Sequence, residues 1–333
     1  MLKGDASNRR FWRVTLGTPA SNTSINAAPA SAIAIDLGPD DLPAYVRALN
    51  LLPAKLSEPP FLNVQRFLKS IGSAVPEIYV ADAPRRMLLV EDVGQTPLFE
   101  AALGGLAKPA TLYRSAIDEL LLIHVEGTRR IDSGCIALSV AYDARLFRWE
   151  MNDFLALGAA TIVAQYDPAA LARELDDLAA RLGALARVLS HRDYHGHNLF
   201  VQSAPTGISI RVIDFQDALL APAAQDLAVL LTTRDTDRVI GPDAERRLLD
   251  YYLAGCARRG APCADAAAFV NSYRLCVLQH ALKVIGRFNA LEGQGKHGYA
   301  VFIPHAVEQA RRMLAESGIS DDFPHLRRAF GIV

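Results

Sequence analysis

Three side chains in the second half of the chain have the types and spacing needed to orient a hydroxyl group and hold a divalent cation. They are Asp193, Asn198 five residues later, and Asp214 sixteen residues after that. Carboxylate and amide oxygens suit Mg²⁺, which proteins commonly hold through one or two carboxylates together with substrate phosphates. A carboxylate beside such a site can accept a hydrogen bond from an attacking hydroxyl. The set therefore indicates phosphoryl transfer.

Short apolar runs next to these residues predict the strands that would position them. Residues 188–189 precede Asp193, residues 199–201 follow Asn198, and residues 210–213 run directly into Asp214. A buried strand that ends in polar residues delivers them to a site at its end. The other interpretation is a β-hairpin whose polar residues only cap turns, which would be enough to explain a lone His-x-Asp triplet. The complete set favours the phosphotransfer site.

These motifs resemble those of a known superfamily. Residues 191–199 are His-Arg-Asp-Tyr-His-Gly-His-Asn-Leu and residues 213–218 are Ile-Asp-Phe-Gln-Asp-Ala, a pair similar to that of the aminoglycoside-phosphotransferase/choline-kinase superfamily. Within it, residues 4–13 and the Asp-Phe-Gln-Asp-Ala sequence resemble the bacterial N-acetylmuramate/N-acetylglucosamine anomeric kinases, which act in cell-wall recycling. The resemblance implies an α+β, bilobal, protein-kinase-like fold. A small antiparallel β-sheet lobe would span residues 1–94 and a larger, mainly helical lobe residues 95–333.

The resemblance also implies a role for each motif residue. Asp193 would be the general base, and Asn198 and Asp214 would hold Mg²⁺ against the ATP phosphates. The remaining motif residues would support the loop or contact the hydroxyl groups of the acceptor. The expected supporting residues are His191 and Asp226, and the expected acceptor contacts are His195, Gln216 and Asp217.

The expected nucleotide contacts lie near the start of the chain and at the hinge between the lobes. A turn of small residues at 4–8, which includes Ser7, precedes a predicted strand at 11–16. Its backbone N–H groups could approach a phosphate, and three arginines add positive charge. An ordinary turn with solvated arginines is the alternative. At residues 91–93, backbone groups would contact the adenine edge. The predicted cofactor-binding residues are Ser7, Arg9, Arg10, Arg13, Glu91 and Val93.

The second strand, predicted at 32–37, departs from the usual kinase pattern. It carries Asp36 and lacks the lysine that would meet the ATP phosphates, and the helix expected after it has Arg66 and Lys69 but no glutamate. One hypothesis is that the charges are swapped, with Asp36 paired to Arg66 or Lys69. The alternative is that Asp36 simply ends the strand.

The second half is predicted to be mostly helical. Helices are expected at 111–126, 145–157, 169–187, 245–256, 264–289 and 304–314, with a further helix beginning at Gln225. His124 is expected to be a buried, hydrogen-bonded histidine rather than a ligand. His280, Lys283 and Arg287 recur at helical spacing, so this polar stripe would face either the cleft or the solvent.

Composition limits the class of protein. The chain has 333 residues, of which 51% are hydrophobic, and a net charge of −1 with a pI near 6.7. It can bury a large core and gives no electrostatic reason to expect a nucleic acid or membrane partner. The four cysteines form no Cys-x-x-Cys pair. No signal peptide or spanning helix is evident, so we expect a cytoplasmic enzyme.

The favoured function is an ATP- and Mg²⁺-dependent kinase of a small-molecule acceptor, an amino sugar or an amino alcohol. The preferred acceptor is the anomeric hydroxyl of N-acetylmuramate or N-acetylglucosamine. One alternative is an aminoglycoside- or choline-type phosphotransferase, since an aromatic cage for choline could be assembled from Tyr142, Phe147, Trp149, Phe154 and Tyr166. The absent strand lysine motivates another, a non-catalytic nucleotide-binding regulatory protein.

Overall fold

The computed structural model of the chain describes eleven segments, with the backbone alone at residues 203 and 204. They are residues 9–17, 30–39, 42–52, 56–130, 134–162, 166–204, 207–234, 236–261, 265–316, 319 and 321–332. Ser7 and the predicted turn at 4–8 therefore lie outside the described residues.

A four-stranded antiparallel sheet forms within the first part of the chain. Its strands are β1 (Arg10–Thr15), β2 (Ser31–Asp36), β3 (Ile78–Asp82) and β4 (Met87–Glu91), in the order β1-β2-β4-β3. Phe11 lies opposite Ile35, and Ile33 opposite Val90. Strands β1 and β2 thus form where the sequence predicts them, at 11–16 and 32–37. Two helices, α1 (Ala44–Ala48) and α2 (Pro60–Ser70), lie between β2 and β3 in the chain.

The proposed charge swap at the end of β2 is wrong. The Asp36 carboxylate accepts a hydrogen bond from the backbone N–H of Gly38 at 2.9 Å, so it closes the turn after the strand. Arg66 instead pairs with Glu58, and Lys69 with Glu77. The simpler interpretation, in which Asp36 ends the strand, is confirmed.

The rest of the described chain is mainly helical, with two short antiparallel ladders, β5 with β8 and β6 with β7. These strands are β5 (Arg187–Ser190), β6 (Leu199–Ala204), β7 (Gly207–Val212) and β8 (Leu219–Pro222). The α-helices are α3 (Leu98–Leu103), α4 (Pro109–Leu121), α5 (Ala144–Glu150), α6 (Ala159–Ile162), α7 (Pro168–Gly183), α8 (Ala223–Thr232), α9 (Pro242–Arg258), α10 (Ala266–Gly293), α11 (Ile303–Ala315) and α12 (Pro324–Ala329). Two π-helical segments are Leu122–Gly127 and Phe154–Gly158, and four 3₁₀ turns are Ile136–Ser139, Phe215–Asp217, Thr236–Arg238 and Ala300–Phe302. The predicted α+β composition is confirmed.

One predicted helix ends earlier than expected. The helix at 169–187 stops at Gly183, and Arg187–Ser190 forms β5 beside β8. A Cβ atom on Gly183 would lie 2.6 Å from the backbone nitrogen of Ala144, so only glycine allows α7 to approach α5 this closely. The amphipathic pattern does not reveal this contact, because it comes from a distant part of the chain.

Several contacts fix the sheet against the helical part. The rings of Phe61 on α2 and Phe215 after β7 pack with centroids 4.9 Å apart. The backbone N–H of Val212 donates to Ala74 at 3.0 Å. These contacts hold the two parts on either side of the loops that carry the predicted site. Among the described helices, none has the length and apolar character needed to cross a bilayer.

Candidate active site

The catalytic loop, residues 191–198, joins β5 to β6 and is fixed by Asp226 at the start of α8. The fully buried Asp226 carboxylate accepts the backbone N–H groups of His191 and Arg192, both at 2.8 Å. It also contacts Nε2 of His124 at 3.0 Å, while Nδ1 of that ring meets the Tyr252 hydroxyl at 2.8 Å. Burial raises the pKa of a carboxyl group, but the His124 hydrogen bond and nearby charges outweigh it and lower the pKa of Asp226. These contacts are the ones expected of a supporting residue, and they confirm His124 as a buried, hydrogen-bonded histidine.

Arg192, whose backbone is hydrogen-bonded to Asp226, directly precedes Asp193. Its backbone is left-handed, with φ 76°, and its guanidinium donates to Oε1 of Glu150 at 2.8 Å. Nη1 also lies 3.8 Å from Oδ2 of Asp193. Burial would raise the pKa of Asp193, but the positive charges of Arg192 and Lys283 hold it well below the usual value. Asp193 is therefore ionised at neutral pH and can accept a hydrogen bond.

Asn198 and Asp214 come together because the two loops are hydrogen-bonded to each other. The Asn198 amide donates to the Asp193 carbonyl at 3.0 Å, and the Asn198 carbonyl accepts the N–H of Ile213 at the same distance. His191 completes the connection by donating from Nε2 to the Ile213 carbonyl at 2.9 Å. The loop that carries Asp193 and Asn198 is thus hydrogen-bonded to the segment that carries Asp214.

Asp214 follows β7 in a left-handed backbone conformation, with φ 65°. Its Oδ1 accepts from Nη2 of Arg9 at 2.8 Å and from Nε2 of Gln216 at 3.0 Å. The left-handed residue turns the chain sharply after the strand, and the carboxylate meets Arg9 and Gln216 there. Arg9 is thereby brought beside the candidate metal ligand, which is where a cation for the ATP phosphates is expected.

The donor set fits Mg²⁺. Because the nitrogen of the Asn198 amide donates to Asp193, the amide oxygen remains to accept a cation, and Asp214 supplies a carboxylate oxygen. In the described part of the chain, no three His, Cys, Asp or Glu side chains are grouped to hold a metal. A metal here would thus be held by one carboxylate, one amide oxygen and substrate phosphates, a set typical of Mg²⁺.

The other two predicted arginines, Arg10 and Arg13, lie on β1. Arg13 contacts Asp92 through Nε at 2.6 Å and Nη2 at 3.1 Å, and it also donates to the Gly94 carbonyl at 3.2 Å. Arg13 is therefore paired with Asp92 beside the predicted hinge, and its contact with phosphate stays a prediction. Arg10 is the exposed first residue of β1, opposite Asp36, and its contact with phosphate stays a prediction.

The hinge after β4 is well anchored. The N–H of Glu91 donates to the Glu77 carbonyl at 2.8 Å, and its carboxylate accepts from Arg211 of β7. Val93 is buried, and its carbonyl accepts from Nε2 of Gln202 at 3.3 Å. The N–H of Glu91 is thus already hydrogen-bonded within the protein, and the contact of residues 91–93 with adenine stays a prediction. A contact with adenine would have to use the Glu91 carbonyl or the backbone of the next two residues.

A cleft of about 680 Å³ opens beside the catalytic loop, between α1 and the start of α2 on one side and α5 and α10 on the other. Gln216 and Asp217, both predicted acceptor contacts, line it. Oε1 of Gln216 is buried without a hydrogen-bond partner in the described residues, as expected of an acceptor aimed at a ligand. Burial raises the pKa of Asp217, and the neighbouring Asp214 acts in the same direction.

His195 is not among the described residues that line this cleft. Its Nδ1 accepts the N–H of His197 at 3.3 Å, inside the catalytic loop. Burial lowers the pKa of His195 to about 3, and the charge of Arg234 adds to the effect. His195 is therefore neutral at physiological pH, and its contact with the acceptor stays a prediction.

Glu150 is a site residue that the sequence did not reveal. It is buried at the wall of the cleft, where Lys283 Nζ lies 3.2 Å from its Oε1 and the Tyr142 hydroxyl donates to Oε2. Burial opposes its charge, but Lys283 and Arg192 lower the pKa of Glu150 to about 2. The helical spacing of Lys283 and Arg287 was the available clue, and both residues do face the cleft. His280, by contrast, is buried and contacts Oγ1 of Thr233 at 2.8 Å.

The aromatic residues considered for a choline cage do not form one. Tyr142, Phe147 and Phe154 are fully buried, and the first two stack on each other with centroids 3.9 Å apart. Of the five candidates only Trp149 lines the cleft. Three of the five candidate residues therefore belong to the core.

Comparisons with known proteins agree with this geometry. Residues 2–265 match the phosphotransferase enzyme family. An N-acetylmuramate/N-acetylglucosamine kinase of Caulobacter vibrioides is 32% identical over 91% of this chain and 84% of its own length. A protein of the same name from Neisseria meningitidis is 27% identical, covering 93% and 83%.

The solved structures show the same fold. A choline/ethanolamine kinase family protein from Mesorhizobium loti superimposes with a TM-score of 0.56 at 12% identity, covering 91% of this chain and 88% of that protein. The predicted bilobal, protein-kinase-like architecture and the family resemblance are confirmed. The protein is an enzyme of the kinase class. It uses ATP to transfer a phosphoryl group to an alcohol group of a small molecule. The chain belongs to the phosphotransferase enzyme family.

Proposed function

We propose that this protein transfers the γ-phosphoryl group of ATP to the anomeric hydroxyl of N-acetylmuramate or N-acetylglucosamine, in the cytoplasm and with Mg²⁺. The names of the relatives from Caulobacter vibrioides and Neisseria meningitidis support this acceptor, because each matches more than nine tenths of the chain. The net charge of −1 supports an enzyme without a nucleic-acid or membrane partner. Residues 1–94 would form the nucleotide-binding lobe and residues 95–333 the lobe with the acceptor site.

In this proposal the catalytic loop orients the sugar. The Asp193 carboxylate accepts a hydrogen bond from the anomeric hydroxyl, whose oxygen bonds to the γ-phosphorus as the bond from that phosphorus to the β–γ bridging oxygen breaks. The hydroxyl proton passes to Asp193. Because the pKa of Asp193 is held low, its main contribution is orientation, which suits a loose transition state with late proton transfer.

Charge neutralisation would come from two sources. Asn198 and Asp214 would hold Mg²⁺, which offsets charge on the β- and γ-oxygens when bound. Arg9, already within 2.8 Å of Asp214, would contact the phosphates in place of the absent strand lysine. A nucleotide seated along the hinge would bring its phosphates toward this point.

The charges of the cleft support a sugar acceptor over the cationic alternatives. Among the described residues, the cleft is lined by six basic side chains and three acidic ones. The basic ones are Arg9, Arg47, Arg86, Arg192, Lys283 and Arg287, and the acidic ones are Glu150, Asp153 and Asp217. An aminoglycoside carries several positive charges and would require an acidic wall, since like charges repel. Choline would require an aromatic cage, which the five aromatic residues considered for it do not form.

The observation that carries the proposal is Gln216. Its buried, unpartnered oxygen stands at the cleft beside Asp214 and can accept a sugar hydroxyl. A pocket of 300–1,000 Å³ suits a small molecule. The test is ADP release with Mg²⁺ and ATP over N-acetylmuramate, N-acetylglucosamine, an aminoglycoside and choline. We expect turnover with the sugars only, and turnover with choline or the aminoglycoside alone would overturn the proposal.

A further inference from the structure

Helix α10 presents two basic residues, one turn apart, to the acceptor cleft. The charge of Lys283 is shared with Glu150. The side chain of Arg287 is exposed and lines the same cleft, and it has no hydrogen bond or ion pair with another residue in the described part of the chain. An exposed guanidinium without an ion-pair partner at the wall of this cleft is available to bind an anion.

The positions of the two residues relative to the base set a direction. Lys283 and Arg192 both contact Glu150, and Arg192 directly precedes Asp193, so Lys283 lies at the catalytic end of the cleft. Arg287 is four residues farther along α10, which places it about 6 Å away along the helix axis. This spacing is close to the width of a sugar ring. An acceptor whose hydroxyl meets Asp193 would therefore direct its far side toward Arg287.

The geometry points to a carboxylate-binding subsite at Arg287, which makes the enzyme prefer an acceptor carrying a carboxylate on the side of the ring away from the reacting hydroxyl. A guanidinium forms two parallel hydrogen bonds with a carboxylate, a match that ammonium groups lack. N-acetylmuramate carries such a group on its lactyl ether, and N-acetylglucosamine does not. The inference rests on the proposed function and adds a specificity residue to it.

The two sugars provide the test. Arg287→Gln should raise KM for N-acetylmuramate about 10- to 100-fold, as expected for loss of a hydrogen-bonded charge pair. It should leave kcat/KM for N-acetylglucosamine within threefold of the wild-type value, because that sugar has no carboxylate to contact Arg287. Arg287→Lys should restore only part of the preference. Arg246→Gln, which changes an exposed arginine on α9, is the matched control and should change neither sugar.

The possible results separate this inference from the function on which it rests. If Arg287→Gln raises KM equally for both sugars, or for neither, the subsite is refuted while the sugar-kinase function stands. If the wild-type enzyme phosphorylates neither sugar, the proposed function fails. Calorimetric titration of N-acetylmuramate into the enzyme with a non-hydrolysable ATP analogue then decides the subsite. Weaker binding to Arg287→Gln supports it, and no binding to the wild-type protein overturns it as well.

Discussion

Replacing Asp226 by asparagine should reduce both the stability and the turnover of this enzyme. The carboxylate accepts three hydrogen bonds, from the backbone of His191 and Arg192 and from His124. Asparagine keeps the shape but has only one oxygen. If that oxygen serves His191 and His124, its NH₂ group faces the N–H of Arg192, and one buried donor loses its partner.

The magnitude follows from that lost contact. A buried donor that loses its partner costs about 1–3 kcal/mol, with the upper end expected where the lost partner was charged, so we expect a loss of about 3 kcal/mol in the free energy of unfolding. For a chain of this size that corresponds to a fall of about 5 °C in the melting temperature. Arg192 also has a left-handed backbone that the Asp226 bond holds in place. Its relaxation would displace Asp193, and a displacement of about 1 Å can reduce the rate about 100-fold.

The assay combines thermal unfolding with ADP release, using Asp237→Asn as the control. Asp237 also pairs with a histidine, His305 at 3.3 Å, but its side chain is 56% exposed. An exposed pair of this kind contributes less than about 1 kcal/mol. The reasoning would be refuted if Asp226→Asn melted within 1 °C of the wild-type protein and kept its turnover within threefold.

Three further predictions concern the base, the metal ligand and pH. Asp193→Ala should abolish turnover and leave MgATP affinity nearly unchanged, as measured by calorimetry; an equal loss of nucleotide affinity would contradict its role. Asp214→Ala should remove most of the Mg²⁺ dependence of ATP binding, and an unchanged dependence would exclude it as a ligand. Burial, together with the charge of Lys283, lowers the pKa of His280 to about 3, whereas an unfolded histidine titrates near 6.5. The unfolded chain therefore binds more protons in this interval, and the stability from neutral His280 is complete above pH 6.5 and is lost as pH falls toward 3. When pH falls from 7 to 5, the free energy of unfolding measured with urea should decrease by about 2 kcal/mol less for His280→Gln than for the wild-type protein.

The sequence predicts local structure and the chemical groups well because both depend on short patterns. The strands predicted at 11–16 and 32–37 form the antiparallel pair β1 and β2. The spacing of Asp193, Asn198 and Asp214 gave a set that the structure brings into two hydrogen-bonded loops. Strand periodicity and loop motifs carry this information within a few residues.

Contacts between distant residues could not be predicted in the same way. Arg13 was expected at the phosphates, but its partner Asp92 lies 79 residues away in sequence. Glu150 appears in sequence as one charge in a helix, and only the fold brings it to Arg192 and Lys283. Whether a charged side chain faces water, a partner or a ligand depends on tertiary packing, which periodicity does not contain.

The absent strand lysine has a structural counterpart in Arg9. Arg9 precedes β1, and its side chain contacts Asp214, which lies 205 residues later in the sequence. Its contact with a candidate metal ligand shows that a cation is accommodated beside this carboxylate. Under the proposed function, bound MgATP would replace this contact, with Arg9 moving to the phosphates.

The most direct test of the central claim is the position of the phosphate on the product. We would incubate the enzyme with ATP, Mg²⁺ and N-acetylmuramate, record the ³¹P spectrum of the product and measure its reducing ends. The account predicts a phosphorus resonance coupled to the anomeric proton and a loss of reducing ends that matches ADP release. A phosphorylated sugar that keeps its reducing end, or no phosphorylated sugar from enzyme that binds MgATP, would contradict it.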